Sequence, residues 1–527
     1  MKLFYGLLIV FTGVGIYFSI LLLSRHEISK KAETRSATDI SSTVEMPAPE
    51  SLDFDLAHPS PFFPEGAIQG EYVIHFTDYD RYLEYLEMLS SAGLEPLGKI
   101  DTLLSVRVSE DVLSRLNHAT YGGEEHFSYR IERPLPPAEI NPELLARLRA
   151  FGESASMIVG GSVDGDGSGI LVAILDSGIE DHSYFKNVKI DSIDLTDIGV
   201  SGAGADHGTA VASIVAGAAG VAPAADLLVI RVLDDQGVGS SFDLAEGIVR
   251  AVDQGAQIIN LSLGVYQDTQ VLQEAVRYAQ ARGVLMVAAA GNDGYDQLPY
   301  PAAYSEVLSV TAVDGLGQHA VFSNKSKSID FAAPGVGIFA AAEKAGAQLF
   351  SGTSAAAPFV SGTLATLLSG DSTLSPQEAV NLVENYLDEA GAAGPDSVYG
   401  GGLLNWDRLR ERTMKDVDDL ALADIYLQPD AQPGTMMPIE VIVQNRGTSW
   451  LAKGKLTILV GESAPVEFTV GNLAPGHTTT RKVHTQVPAM HSDETLQIAA
   501  RVLAEGDSRD VRPENNVKAV FFRPVQP

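Results

Sequence analysis

Three short islands in this chain each set a chemically able side chain at the end of an element that would present it. Ile170-Leu171-Val172-Ala173-Ile174-Leu175-Asp176-Ser177-Gly178 is an apolar run that ends in a carboxylate just before a glycine turn. Chemistry in parallel sheets sits beyond the carboxyl ends of the strands, so Asp176 stands where a catalytic acid is expected; taken alone, it reads equally well as a solvated strand-end aspartate. Asp206-His207-Gly208-Thr209 opens a helix of small residues, and the positive end of a helix favours an uncharged ring that can accept a proton. Gly352-Thr353-Ser354-Ala355-Ala356-Ala357-Pro358 puts Ser354 at the start of an apolar helix, where its hydroxyl and its own N–H face outward; a plain helix cap is the alternative. Together, a carboxylate steadying an imidazole that draws a proton from a hydroxyl make a nucleophile for acyl transfer. A fourth island, Val287-Ala288-Ala289-Ala290-Gly291-Asn292, ends a strand in a side-chain amide. That is the kind of donor that stabilises a tetrahedral oxyanion, although Asn292 could also simply close a turn on its own backbone.

The elements that must position these groups follow from periodicity. Between residues 167 and 407, buried-strand runs at 170–175, 226–232, 257–261, 284–289, 307–313 and 329–331 alternate with helical patterns, which predicts a mostly parallel sheet with helices on both faces. Ser375-Pro376-Gln377-Glu378 is a capping box that starts one of the helices. Residues 71–131 read as β-α-β-β-α-β, the pattern of a small ferredoxin-like α+β unit. Residues 421–524 are strand-like runs split by turn residues, including 439–443, 455–460, 466–470 and 517–522, which predicts a β-sandwich. The Ser-, Thr- and Pro-rich residues 27–69 and the break at Arg133-Pro134-Leu135-Pro136-Pro137 read as linkers. The expected organisation is therefore an N-terminal segment at 1–26, a linker at 27–69, a small unit at 70–134, a second linker at 135–164, an α/β domain at 165–412 and a sandwich at 420–527.

The chain order Asp, His, Ser is that of the subtilisin arrangement, and residues 165–407 resemble a subtilisin-family peptidase domain. Asp176-Ser177-Gly178-Ile179, His207-Gly208-Thr209, Ser262-Leu263-Gly264, Ala290-Gly291-Asn292, Tyr300-Pro301-Ala302, Ala333-Pro334-Gly335 and Gly352-Thr353-Ser354 carry the likeness. The resemblance implies a serine endopeptidase acting on protein or peptide substrates, with Asp176, His207 and Ser354 as catalytic residues. It further implies an oxyanion hole from Asn292 and the Ser354 amide, and a peptide-binding edge at Ser262, Leu263 and Gly264, with Ala289, Ala290 and Gly291 beside it. The wall of Ala288, Ala289, Ala290, Leu298 and Pro299 reads as apolar, without a carboxylate for a basic side chain. Residues 71–132 resemble the family's inhibitory propeptide, which implies an intramolecular inhibitor removed by self-cleavage between about 132 and 165. Ala355 and Phe359 stand where the family usually has Met and His. Gly217-Ala218-Ala219-Gly220 is too short, and lacks the side-chain oxygens, to be the calcium loop that several relatives carry. No cofactor or metal is expected for catalysis, and structural calcium elsewhere is left open. The sandwich resembles CARDB-type modules, through Val441-Ile442-Val443-Gln444-Asn445-Arg446-Gly447 and Asn472-Leu473-Ala474-Pro475-Gly476. That implies a spacer or a docking role on a surface protein or glycan.

Composition sets the outer limits. With 36 basic against 68 acidic residues the net charge is −32, which argues against a nucleic-acid partner. The absence of cysteine excludes thiol nucleophiles, disulfide frameworks and thiolate zinc sites. Residues 4–23 carry no charge, enough at about 1.5 Å per residue to cross a layer of roughly 30 Å. No small-residue cleavage pattern follows, so an uncleaved signal anchor is expected, with a cleaved signal peptide as the alternative. Lys2 precedes the run while Arg25, Lys30, Lys31 and Arg35 follow it, so charge alone leaves its orientation open. The expected protein is a zymogen, membrane-anchored and facing away from the cytoplasm, or secreted. The competing reading is a non-catalytic surface scaffold that keeps the peptidase fold.

Overall fold

The structure is a computed structural model. It describes residues 64–523, apart from 137–144, 161–163, 197, 203, 343–345, 429–430, 488–494 and 506–509. The apolar run at 4–23 and nearly all of the first linker lie outside the described residues. No helix among the described residues is long and apolar enough to cross a membrane.

The small N-terminal unit runs β1 (Ala67–His75), α1 (Tyr79–Ser91), β2 (Gly98–Ile100), β3 (Ser105–Ser109), α2 (Glu110–Arg115) and β4 (Glu124–Glu132). Its strands lie in the order β2-β3-β1-β4, all antiparallel. Asp78 caps α1 by accepting from the Arg81 N–H at 3.0 Å, and Tyr82, Tyr85 and Leu89 share one buried face. That face packs on Tyr72, Ile74, Val106 and Val108. The opposite face of the sheet is also buried: Val73, Ile100 and Ile131 join the core of the following domain.

That domain is built on β5 (Leu171–Asp176), β6 (Ile190–Asp194), α3 (Asp206–Val215), β7 (Asp226–Arg231), β8 (Val238–Ser240), α4 (Ser241–Asp253), β9 (Ile258–Leu261), α5 (Gln270–Gln280), β10 (Leu285–Ala289), β11 (Leu308–Val313) and β12 (Phe331–Pro334). Then follow β13 (Ile338–Ala342), β14 (Gly346–Phe350), α6 (Thr353–Gly370), α7 (Pro376–Asn385) and α8 (Trp406–Glu411). Seven strands form a parallel sheet in the order β12-β11-β10-β9-β5-β7-β6. Apolar strands buried on both faces need helices on both: α3 and α6 cover one side, α4 and α5 the other. β6 and β7 lie on one side of β5 and β9 to β12 on the other, so Asp176 ends the strand at the topological switch, where open α/β sheets keep their sites.

Sequence periodicity misses β6 and the β13–β14 hairpin. β6 is an edge strand, and its residues Ile190-Asp191-Ser192-Ile193-Asp194 carry charge because half the strand faces solvent. β8 pairs with β4, so the small unit's sheet extends into the α/β domain.

The last part comprises β15 (Leu420–Leu427), β16 (Met436–Asn445), β17 (Leu451–Val460), β18 (Val466–Leu473), β19 (Thr478–Gln486), β20 (Leu496–Ala504) and β21 (Val517–Phe522). They form two antiparallel sheets, β15-β16-β19 and β18-β17-β20-β21, that close on Leu422, Ile439, Val441, Leu456, Ile458, Val470 and Ile498. This sandwich is seated on the α/β domain rather than tethered by a free spacer. Gln444 accepts from the Glu389 N–H at 3.0 Å and donates to the Leu387 carbonyl at 3.2 Å. Asp424 accepts from the Gly391 N–H at 2.7 Å, and Arg446 meets Asp388 at 3.0 Å. Arg512 joins Asp419 at 2.7 Å to Glu411 on α8 at 2.5 Å.

Glu389 lies in this joint. Burial, aided by Asp396 and Asp424, pushes its carboxyl up to about 7 from 4.5. The folded state thus holds this proton more tightly than the unfolded chain, and native stability falls as pH rises from 4.5 through about 7. Replacing Glu389 by Gln removes that loss: its urea midpoint exceeds the parent's at pH 8 and matches it near pH 4.5.

Candidate active site

Asp176 is fully buried at the end of β5, and its Oδ1 accepts from the Ser177 N–H at 2.7 Å. Both carboxylate oxygens face His207 Nδ1, at 2.8 and 3.0 Å. That contact fixes the ring by its Nδ1 edge. Phe350 of β14 packs edge-on against the imidazole, with centroids 5.4 Å apart. The approach of α3 to β5 requires Gly208: a Cβ there would lie 2.2 Å from the Gly178 carbonyl and 3.2 Å from the Asp176 Cβ.

Ser354 is the second residue of α6, entered through Gly352 at φ +139°, and is 2% exposed. Its hydroxyl donates to the Ser262 carbonyl at 3.5 Å, and the Ser262 hydroxyl donates back to the Ser354 carbonyl at 3.3 Å. Asn260 continues this buried chain, giving to Ser262 Oγ at 3.1 Å and accepting from Ser361 Oγ at 2.9 Å. The Asp–His link is therefore made here, while the serine hydroxyl is turned toward a carbonyl. At 3.5 Å, the limit for such a bond, that carbonyl holds the hydroxyl only weakly.

Asn292, also nearly buried, follows β10. Its Oδ1 accepts from the Thr353 N–H and the Thr353 hydroxyl, both at 2.9 Å, so its NH₂ faces away from Thr353. Nδ2 donates to the Leu135 carbonyl at 3.0 Å. Thr353 was visible in the sequence only as the neighbour of a serine; its grip on the Asn292 amide is a contact between residues 61 positions apart. His207, Asn292 and Ser354 line one hollow of about 380 Å³, together with Asp206, Pro134, Pro136 and Phe350.

The segment that follows β4 crosses this hollow. Ile131 and Glu132 pair with Gly239 and Val238, and the Arg133 N–H donates to the Gly237 carbonyl at 3.1 Å. On its other side, Glu132 exchanges both backbone bonds with Gly264, at 3.0 and 3.1 Å. Of the expected peptide-binding edge, Gly264 makes this pairing, while Ser262 and Leu263 are fully buried. Ala289 and Ala290 are fully buried too; the Ala290 N–H is spent on the Val310 carbonyl. Gly291 does line a second hollow, of about 240 Å³, with Leu135, Gly264, Tyr266, Asp293 and Pro299. Asp293, the residue after Asn292, also lines this hollow. It accepts from the Tyr266 hydroxyl at 2.6 Å, and burial followed by that bond raises the phenol's pKa above its ordinary value.

Residues 217–220 form a tight turn. Gly217 accepts from Gly220 at 3.0 Å, and Ala219 from the Ser156 N–H at 2.9 Å. With only Gly and Ala side chains, this turn does not fit a calcium ion. Phe359, where the resemblance leads one to expect His, packs against Trp406 with centroids 5.7 Å apart.

Because the Gly208 contact leaves no room for a methyl group, Gly208→Ala should displace His207 from Asp176. A fall of about 10²-fold in the rate of fluorophosphonate labelling is expected, for a shift on the order of 1 Å.

Comparison with known proteins places residues 167–402 in the Subtilase family and residues 417–520 in CARDB. Subtilisin Savinase of Lederbergia lenta is 35% identical over 245 residues, which is 45% of this chain and 90% of that protein. Subtilisin BL of Lederbergia lenta gives the same identity and coverage, 35%, 45% and 90%. The thermostable alkaline protease of Halalkalibacterium halodurans is 37% identical over 251 residues, 46% of this chain and 68% of that one. With the sheet, the buried Asp–His pair and these matches in hand, the chain belongs to the subtilase family of serine endopeptidases.

Proposed function

We propose that this chain hydrolyses peptide bonds through an acyl-enzyme formed on Ser354. The observation that carries the reading is the Asn292 amide, which lines one hollow with His207 and Ser354 and donates to a peptide carbonyl at 3.0 Å. Ser354 Oγ attacks the substrate carbonyl while His207 takes its proton, and Asp176 stabilises the resulting imidazolium. Asn292 Nδ2 and the Ser354 N–H receive the oxyanion. As the intermediate collapses, His207 passes the proton to the departing amine, and water then releases the acyl group by the same route in reverse. These steps draw on side chains and backbone amides alone.

Residues 70–134 act as an intramolecular inhibitor, and self-cleavage in the 135–164 region starts maturation. The antiparallel seating of residues 130–133 between 237–239 and 264 supports this, because an extended peptide added to a strand edge is how such a site receives a substrate. The protein works outside the cytoplasm, held by residues 4–23 or released, and its sandwich docks it on a surface protein or glycan. The acidic surface makes nucleic acid a poor partner.

A scaffold without activity is the opposing reading, and a covalent probe separates the two. The parent takes up a fluorophosphonate at Ser354 once residues 70–134 have been released; Ser354→Ala takes up none and keeps its N-terminal unit attached. Absence of label on the released parent rejects the enzymatic reading. Asn292→Leu should lower kcat by about 10²–10³ with little change in KM, since its donor acts mainly on the transition state.

A further inference from the structure

The bond presented to the nucleophile is unusual in its chemistry. The carbonyl on Asn292 is that of Leu135, so the bond in place is Leu135–Pro136, and Pro134 and Pro136 both line the hollow with His207 and Ser354. Upstream, Glu132 and Arg133 are tied to Gly264 and Gly237. Proline also shapes the segment before it binds. Each residue that precedes a proline is restricted to extended conformations, so Arg133 and Leu135 are both predisposed to the strand geometry that the site accepts. Little ordering entropy is lost when such a segment docks.

Cleavage is another matter. Attack by Ser354 Oγ on the Leu135 carbonyl carbon forms a C–O bond. Breaking the C–N bond then requires His207 to deliver its proton to the nitrogen of Pro136. That nitrogen carries Cδ where other residues carry hydrogen, and its φ is locked near −65°. Its lone pair can turn toward the imidazole only if the whole ring moves, in a hollow also lined by Leu145, Leu349 and Phe350.

We infer that Pro136 is the specificity-determining residue of this segment. Residues 132–135 fit the site as a substrate does, with proline followed by leucine before the cut, and Pro136 makes the seated bond resist cleavage. The inference rests on the catalytic reading above. The site accepts extended peptides ending in Pro-Leu before the cut when a residue other than proline follows. Self-processing falls at a different bond, between 137 and 164.

The test compares the full-length parent, Pro136→Ala and the double variant Pro136→Ala/Ser354→Ala. Each is followed by intact mass and N-terminal sequencing, with fluorophosphonate uptake measured in parallel. Pro136→Ala should yield a new N-terminus at position 136, in a reaction that the double variant loses. The parent should break its 135–136 bond at least about 10²-fold more slowly, the scale of cost for a misaligned reacting group. Cleavage of the parent at that bond at a comparable rate overturns the inference. So does a Pro136→Ala protein that takes up the probe yet keeps the bond. Absence of both label and cleavage from the parent and from Pro136→Ala instead overturns the catalytic reading, and this inference with it.

Discussion

The contact between the Asp176 carboxylate and His207 Nδ1 is the constraint around which the α/β domain is arranged. A fully buried carboxylate is costly unless its oxygens are paired, and here the backbone N–H of Ser177 and the imidazole share them. Meeting that demand fixes where β5 stops and how near α3 starts, and it needs the missing side chain of Gly208. Phe350 then closes the outer side of the ring, which makes the β13–β14 hairpin part of the site's wall.

A second arrangement, built from neutral groups, holds the amide of Asn292. Thr353 supplies two donors to Oδ1, and its hydroxyl accepts from the Gly291 N–H at 3.1 Å. An amide bound in this way presents its NH₂ in one direction, and such preorganisation is what lets a donor act on developing charge without rearranging. On the far side of Ser354, Ser262, Asn260 and Ser361 tie α6 to the sheet. The helix start is therefore located from two sides.

The small N-terminal unit and the sandwich join the α/β domain by different physics. The first uses a shared sheet and apolar burial: β4 pairs with β8, Val73 and Ile131 enter the larger core, and the Arg107 guanidinium lies 5.1 Å over the Phe242 ring while meeting Asp243 at 3.1 Å. The second is polar. Asp388, Asp419, Asp424, Gln444, Arg446 and Arg512 make its seam, and Glu389 is held there against its ordinary ionisation. The apolar and sheet-extending joint leads directly into Arg133, Pro134 and Pro136, which line the hollow. A seam of charges and amides fixes orientation more than it adds stability.

The alternating pattern of strands and helices, the positions of Asp176, His207, Ser354 and Asn292 at or beside the ends of those elements, the turn-split runs of the sandwich and the β-α-β-β-α-β order were all legible from the sequence. Each depends on neighbours within a few residues: periodicity of two or 3.6, a cap, a glycine or a strand end. The edge strand β6 escaped because solvent on one face removes the apolar signal. Asp293 was missed because nothing beside it in the chain says which hollow it will border. Only the tertiary structure decided that Leu135 meets Asn292 across 157 positions, that Thr353 orients that amide, that Ala289 and Ala290 are buried within the core, and that the sandwich is seated on the α/β domain. Such pairings are set by burial and strand register summed over whole elements, and no local window contains that sum.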